Sequence, residues 1–533
     1  MDNFFLALSK YLMITYMLIY ATLCFRAAGA KTKQQIKSIY RSQNILIYLL
    51  HFTGYLVIYV YEQEQKIINL YGMQLLYFMI VLAIFPLLYS NLNRLLLSNM
   101  CMFIAIGFVM ITRLDYDKCL KQFYIIACAT TLTILVPFFI SRISILKNLT
   151  YVYGLIGIAM LLVVLVGGSR VFGAKLNVTI GNISFQPSEF AKIFFVFFIA
   201  GMLCESARFK HIVITTVCAA IYVIVLVMSK DLGGALIFFM TYLFMLYAAT
   251  SNIIYLALGL GSGGFASVIA YHFFSHVRVR VAAWRDPWSI IDTDGYQVAQ
   301  SLFAISAGGW LGTGLYKGMP HKVPVVVKDF IFSAIAEEFG GIFAILLILV
   351  SMSCFIAFIR ASVIQTNKFY KMIAYGFGIG YVVQVFLTIG GALKMIPSTG
   401  VTLPLVSYGG SSALSTIFVF SIIQGITVLA RNEAEASEDD TEEVNVAYAE
   451  FDNDAFGNVR RKPPKNEDLR RIKNSNGERK TRSSSNKSTR SNTDKRTNSD
   501  KRTRANMDKR NRNAADQKVN VSRRRTKNID SRR

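Results

Sequence analysis

The chain has 533 residues, 53% hydrophobic and 17% charged, with a formal net charge of +25. Apolar runs of about 20 residues recur from the N-terminus to about position 430, each long enough to cross a bilayer core, which excludes a soluble globular enzyme built on amphipathic periods. Seven scattered cysteines with no C-x-x-C pair, and five histidines without ligand spacing, exclude a disulfide framework and a zinc centre.

In chain order the apolar runs predict thirteen spans, at 4–25, 45–62, 71–91, 96–113, 122–141, 149–168, 186–206, 211–228, 231–249, 252–275, 331–360, 371–394 and 404–430. The reading is an all-α polytopic membrane protein. Asp2 stands where a cleavable signal would be basic, so the first run reads as a retained span. Lys and Arg concentrate in cytoplasmic loops. The loop at 26–44 carries Arg26, Lys31, Lys33, Lys37 and Arg41, the next ("YEQEQK") is acidic, and "SRISILK", "ESARFKH" and "RASVIQTNKFYK" are basic again. These loops agree with an external N-terminus, an external loop at 277–330 and a cytoplasmic C-terminus.

After position 429 the composition changes. Residues 433–454 hold ten Asp/Glu and no Lys or Arg, whereas 455–533 hold 27 Lys/Arg against eight Asp/Glu. With so little apolar surface to bury, 433–533 reads as a disordered tail. Its basic part suits anionic membrane lipids. Without interleaved aromatics it offers no stacking platform for single strands, and no nucleic acid is expected.

Ionisable residues in or beside spans are costly and mark pathways or sites. Four stretches stand out. In "FQPSEFAK", Glu189 and Lys192 are three apart and share a helical face. In "SKDLGGALIFF", Lys230 and Asp231 sit at the mouth of a span whose glycines permit close packing. The third stretch, "WRDPWSIIDTDGYQVAQS", carries Asp286, Asp292, Asp294 and Gln297 after Arg278 and Arg280, and leads on to Lys328, Asp329, Glu337 and Glu338. Loops of this length without structure of their own are usually functional or disordered, and this one is rich in Trp, Tyr, Phe and Gly. The fourth, "IPSTGVTLPLVSYGGSSAL", reads as a broken or re-entrant element, tolerated at membrane depth only where protein buries it or it lines a wet cavity. In the topology above all four share the outer half of the membrane. Together they would form one outward cavity suited to a lipid with an anionic head, with cations gripping phosphate and a carboxylate removing a proton from an attacking hydroxyl.

"FQPSEFAK", "KDLGGAL", "GYQVAQSLFAISAGGWLGTGL", "KDFIFSAIAEEFG" and "TGVTLPLVSYGGSS" resemble, in order and spacing, the signature blocks of the SEDS family, which comprises FtsW, RodA and SpoVE. The resemblance implies a ten-helix core at 92–432, preceded by a module of about three helices at 1–91. It implies a peptidoglycan glycosyltransferase that polymerises lipid II alongside a class B penicillin-binding protein, and an essential aspartate in the large external loop. In this sequence "IIDTDGYQ" replaces the family's D-P-x-G-x-G-Y-Q-like run. Counted back from Tyr296, the aspartate position falls at Ile290. A shortened loop puts Asp292 there, with Asp294 and Asp286 next in order. Thr388 stands where the family has Asn.

On this resemblance Asp292 is the general base or orients a divalent cation cofactor, Mg or Mn. Arg278, Arg280 and Lys328 hold the departing pyrophosphate. The remaining candidates for substrate binding are Lys230, Asp231, Glu189, Lys192, Gln297, Asp329, Glu338, Thr399, Ser407, Tyr408 and Ser411. A lipid II flippase and a non-catalytic scaffold for the penicillin-binding protein are the alternatives. An ion-coupled transporter is disfavoured, because the two halves show no matching broken helices.

Overall fold

In a bilayer an apolar run satisfies its own backbone only as a helix or within a closed barrel. A computed structural model describes residues 2–29, 32–142, 144–171, 174–180, 183–205 and 208–455. Among the described residues, thirteen helices are long and apolar enough to cross a membrane. The helices are α1 (Asp2–Gly29), α2 (Lys33–Glu62), α3 (Gln65–Leu88), α4 (Arg94–Leu114), α5 (Tyr116–Thr133), α6 (Val136–Arg142), α7 (Thr150–Gly167), α8 (Pro187–Glu205), α9 (Phe209–Met228), α10 (Leu232–Thr250), α11 (Ile253–Phe273), α12 (Ser275–Arg285), α13 (Tyr296–Gly308), α14 (Ile331–Val363), α15 (Lys368–Ala392) and α16 (Gly410–Ala455). α5 and α6 share one span, and α12 and α13 are too short to cross.

The chain divides into two units, Met1–Glu442 and Glu443–Arg533. In the second, residues 443–455 are helical and positions 456–533 lie outside the described residues, as does Lys31. The helix assigned from Gly410 runs on through 433–455, where the acidic stretch interleaves Glu with Ala, both good helix formers.

Two departures from the predicted spans shape the site. Between α7 and α8 the chain forms three antiparallel strands, β1 (Ser169–Val171), β2 (Ala174–Ile180) and β3 (Ile183–Phe185). The span expected at 331–360 is interrupted at Gly340, whose φ of +91° is not helical. There the backbone of the α13–α14 connection docks into the helix. Thr313 N–H donates to Glu337 O (2.9 Å), Gly314 N–H to Glu338 O (2.9 Å), and Gly341 N–H to Gly309 O (2.8 Å).

Within the bundle α4 is enclosed: every residue from Leu95 to Thr112 is buried, and the helix packs against α2, α3, α5 and α14. Asn99, in its second turn, accepts from Tyr20 Oη of α1 (2.9 Å) and donates to Ser353 Oγ of α14 (2.7 Å). Such bonds substitute for polar partners that lipid cannot supply. The stretch 393–409 closes over α4, with Leu403, Leu405 and Val406 buried. Gly107 is needed there because a Cβ would come within 2.9 Å of the Leu405 and Val406 carbonyls.

Candidate functional site

The turns that follow α9, α12 and α15 and precede α8, α10 and α14 meet at one end of the bundle. They enclose a cavity of about 350 Å³ lined by Glu189, Lys192, Lys230, Asp231, Arg280, Asp294, Gln297, Asp329 and Thr399, among others.

Each wall has a local cause. Pro187 opens α8, where its missing N–H leaves no helical bond unmade. One turn on, Glu189 and Lys192 pair at 2.8 Å. Ser415 Oγ donates to Glu189 (2.9 Å) and Lys192 Nζ donates to Gln384 Oε1 (3.0 Å), so both charges have partners. Asp231 caps α10 by accepting from Gly234 N–H (2.8 Å), a role worth about 1 kcal/mol. Burial nevertheless holds its carboxyl above the ordinary value, because low dielectric disfavours the charged form. The residue before it, Lys230, lies at φ +63°, and Val325 on the opposite wall at φ +57°. β-Branched residues rarely adopt that region, and such strain clusters at working sites.

Arg280, on α12, reaches across to donate to Ser398 O (3.1 Å). Burial lowers its proton affinity, while Asp329 and Asp231 oppose the shift. Asp329 is pushed up by burial, against Lys328 and Arg280. Gly400, at φ +75°, lets the chain turn beside both groups: a Cβ there would lie 3.7 Å from Arg280 Nη2 and from Asp329 Oδ2. The Thr399 hydroxyl is buried without a protein partner in this wall.

The other candidates lie off the cavity lining. Asp292 is exposed in the same turn as Asp294. Asp286 accepts from the Trp288 and Ser289 N–H groups and so builds that turn. The Arg278 guanidinium is exposed and donates to His272 O. The Lys328 carbonyl accepts from Ser407 Oγ, and Tyr408 N–H donates to Val327 O (2.7 Å), which ties 393–409 to the loop before α14. Ser411 Oγ accepts from Gln186 N–H (2.9 Å). Glu338 is fully buried elsewhere, with Arg113 Nε at 3.2 Å.

Sequence reasoning missed Gln186, Ser188, Ser398 and Thr402 on the lining and Gln384 beneath it. Gln384 carried a readable signal, a lone amide in mid-span, where polar groups are costly.

The lining combines three cations, Lys192, Lys230 and Arg280, with four carboxylates, Glu189, Asp231, Asp294 and Asp329. This mixed field can hold a diphosphate at one point and accept a proton at another. Among the described residues no group of three or more His, Cys, Asp or Glu is placed to hold a metal ion. Mg²⁺ binds through one or two carboxylates plus substrate phosphates, so these side chains alone do not form its site.

Comparison with known proteins gives one answer. The Cell cycle protein family, comprising FtsW, RodA and SpoVE, matches residues 93–432. Peptidoglycan glycosyltransferase RodA of Mycobacterium tuberculosis (strain H37Rv) is 33% identical over 370 residues, 64% of this chain and 78% of the relative. Probable peptidoglycan glycosyltransferase FtsW of Aliivibrio salmonicida is 33% identical over 295 residues, 53% of this chain and 74% of the relative. A solved chain from a peptidoglycan synthase complex that coordinates polymerization and crosslinking shares the fold at TM-score 0.54 and 24% identity, covering 64% of this chain and 98% of that one.

Proposed function

The chain belongs to the FtsW, RodA and SpoVE family and is a peptidoglycan glycosyltransferase, and we propose that it polymerises lipid II in the cavity that Arg280, Lys192 and Asp294 share. The charged end of the bundle faces outward, as the loop charges suggest. Residues 92–432 form the catalytic core, 1–91 an added module and 433–533 a cytoplasmic tail whose basic composition suits anionic lipids.

The reaction breaks the bond from MurNAc C1 of the growing strand to its pyrophosphate. The 4-hydroxyl of the incoming GlcNAc forms the new bond to C1 with inversion, giving a β-1,4 linkage. The hydroxyl proton passes to a carboxylate, and the electron pair of the broken bond leaves on the pyrophosphate. Arg280, Lys192 and Lys230 stabilise that developing charge, the largest contribution in transfers of this kind. Asp294 supports the role of base better than Asp292, because it lines the cavity while its neighbour two residues back does not. Burial raises the proton affinity of the Asp231 and Asp329 carboxyls beside these cations. The large external loop, and the origin of one solved chain of the same fold in a complex that coordinates polymerization and crosslinking, support a class B penicillin-binding protein as partner.

The carrying observation is the convergence of three cations and Asp294 on one cavity within the matched residues. The test is purified full-length protein with lipid II, read as a ladder of glycan strands. Asp294→Asn lowers the rate by about 10²- to 10⁴-fold, the range of a lost general base, and Asp292→Asn leaves most of it. The reverse result transfers the role to Asp292. Translocation of lipid II without polymer replaces the enzyme with a flippase.

A further inference from the structure

Three helices, α1–α3, precede the residues that match the family. Two of them reach the connection between α13 and α14. Lys10 Nζ, on α1, donates to Gly312 O at 3.1 Å. At the end of α2, the Tyr61 ring stacks on Tyr316 with centroids 4.7 Å apart and planes 10° apart. The adjacent Glu62 carboxylate accepts from Tyr316 Oη at 2.8 Å.

From the core side Tyr316 is held just as closely. The Arg113 guanidinium lies 4.0 Å from its ring centroid. Glu338, fully buried, accepts from both Tyr316 N–H (3.1 Å) and Arg113 Nε (3.2 Å). Tyr316 itself sits at φ +68°, a region that a non-glycine residue occupies only when its surroundings over-determine it. Three residues on, Met319 N–H donates to Glu337 Oε1 at 2.7 Å. The same segment then enters the cavity lining at Val325 and Asp329. Tyr316 is therefore the point where the added helices grip the loop that carries one wall of the site. Burial and the Glu62 carboxylate both push its phenol pKa up, so the hydroxyl stays a donor at neutral pH.

Resting on the glycosyltransferase reading, we propose that Tyr61 and Glu62 are positioning residues for the transfer: they fix Tyr316 between α2 and α14 and thereby set where Val325 and Asp329 stand in the cavity. The added helices are thus a built-in brace for the active site, and the reaction slows when the brace is cut even though every cavity group remains.

The test uses the full chain in nanodiscs with lipid II, comparing the parent with Tyr316→Phe, Glu62→Ala, the double variant and Glu62→Gln. Each of the first two lowers kcat about threefold to tenfold, as loss of one hydrogen bond at a strained position would, with KM little changed. The double variant is no worse than either single one, because both remove the same interaction. Glu62→Gln restores the rate, since its amide oxygen accepts the same bond. Hydrogen exchange supplies a readout independent of activity: the Tyr316 and Met319 amides exchange faster in Tyr316→Phe while the melting temperature holds. Parental kcat and exchange in both single variants overturn the inference, and so does an additive double variant or a slower kcat with unchanged exchange. If the parent makes no polymer, the enzyme reading fails, and the exchange experiment still decides whether α2 braces the loop.

Discussion

Asp329 is half-buried beside Arg280, and burial outweighs the two nearby cations to leave its carboxyl above the ordinary value of 3.8. An acid whose folded pKa exceeds its unfolded one favours folding in its neutral form. That contribution is complete below the unfolded pKa and disappears as pH rises through the folded one. Asp329→Asn, neutral throughout, is therefore expected to gain stability relative to the parent as pH climbs from about 4, near the unfolded Asp value, toward 8. Thermal unfolding across that range checks it; a difference that narrows with rising pH contradicts it. The same residue shows how far side-chain roles were legible. Charged residues near span ends marked Glu189, Lys192, Lys230, Asp231, Arg280 and Asp329, and all of these line the cavity. Sequence order put Asp292 ahead of Asp294, whereas Asp294 lines the cavity, because two residues in one turn differ only in which way the turn aims them. Nor did it pair Glu338 with Arg113, which lies 225 positions away.

At the scale of elements, the break in α14 depends on one residue. Gly340 has φ +91°, and a Cβ there would overlap the Gly312 backbone nitrogen. Both the strained backbone and the clash forbid a side chain, each at a cost of about 1–3 kcal/mol or more. Gly340→Ala is expected to lose the docking of 309–314 and to elute as aggregate in size-exclusion chromatography. A monodisperse peak with parental melting contradicts that. The thirteen spans were legible because bilayer thickness imposes a length that composition reveals. The break was not, because "EEFGGIFA" keeps the hydropathy of a continuous helix, and tertiary hydrogen bonds decide its geometry. The strands β1–β3 escaped for a related reason: runs of three to seven residues between spans are too short for periodicity to settle.

Across the whole molecule, polar bonds between helices stand in for the hydrophobic driving force that lipid removes. Asn99 joins α1, α4 and α14 through Tyr20 and Ser353. Asn99→Ala is expected to lower stability by about 1–2 kcal/mol, the upper part of the range for such bonds, seen as a lower melting temperature in detergent. An unchanged melting temperature contradicts it. Asn99 also joins early and late parts of the chain. α4 is the fourth span made and is buried from Leu95 to Thr112 in the finished bundle, yet its partner Ser353 comes 254 positions later. At about 5–20 residues per second of synthesis, roughly ten seconds to a minute pass with that helix in the bilayer and its asparagine lacking one neighbour. Biogenesis thus contains an obligatory waiting period, and a ribosome stalled before α14 would leave a half-made bundle that membrane quality control could recognise.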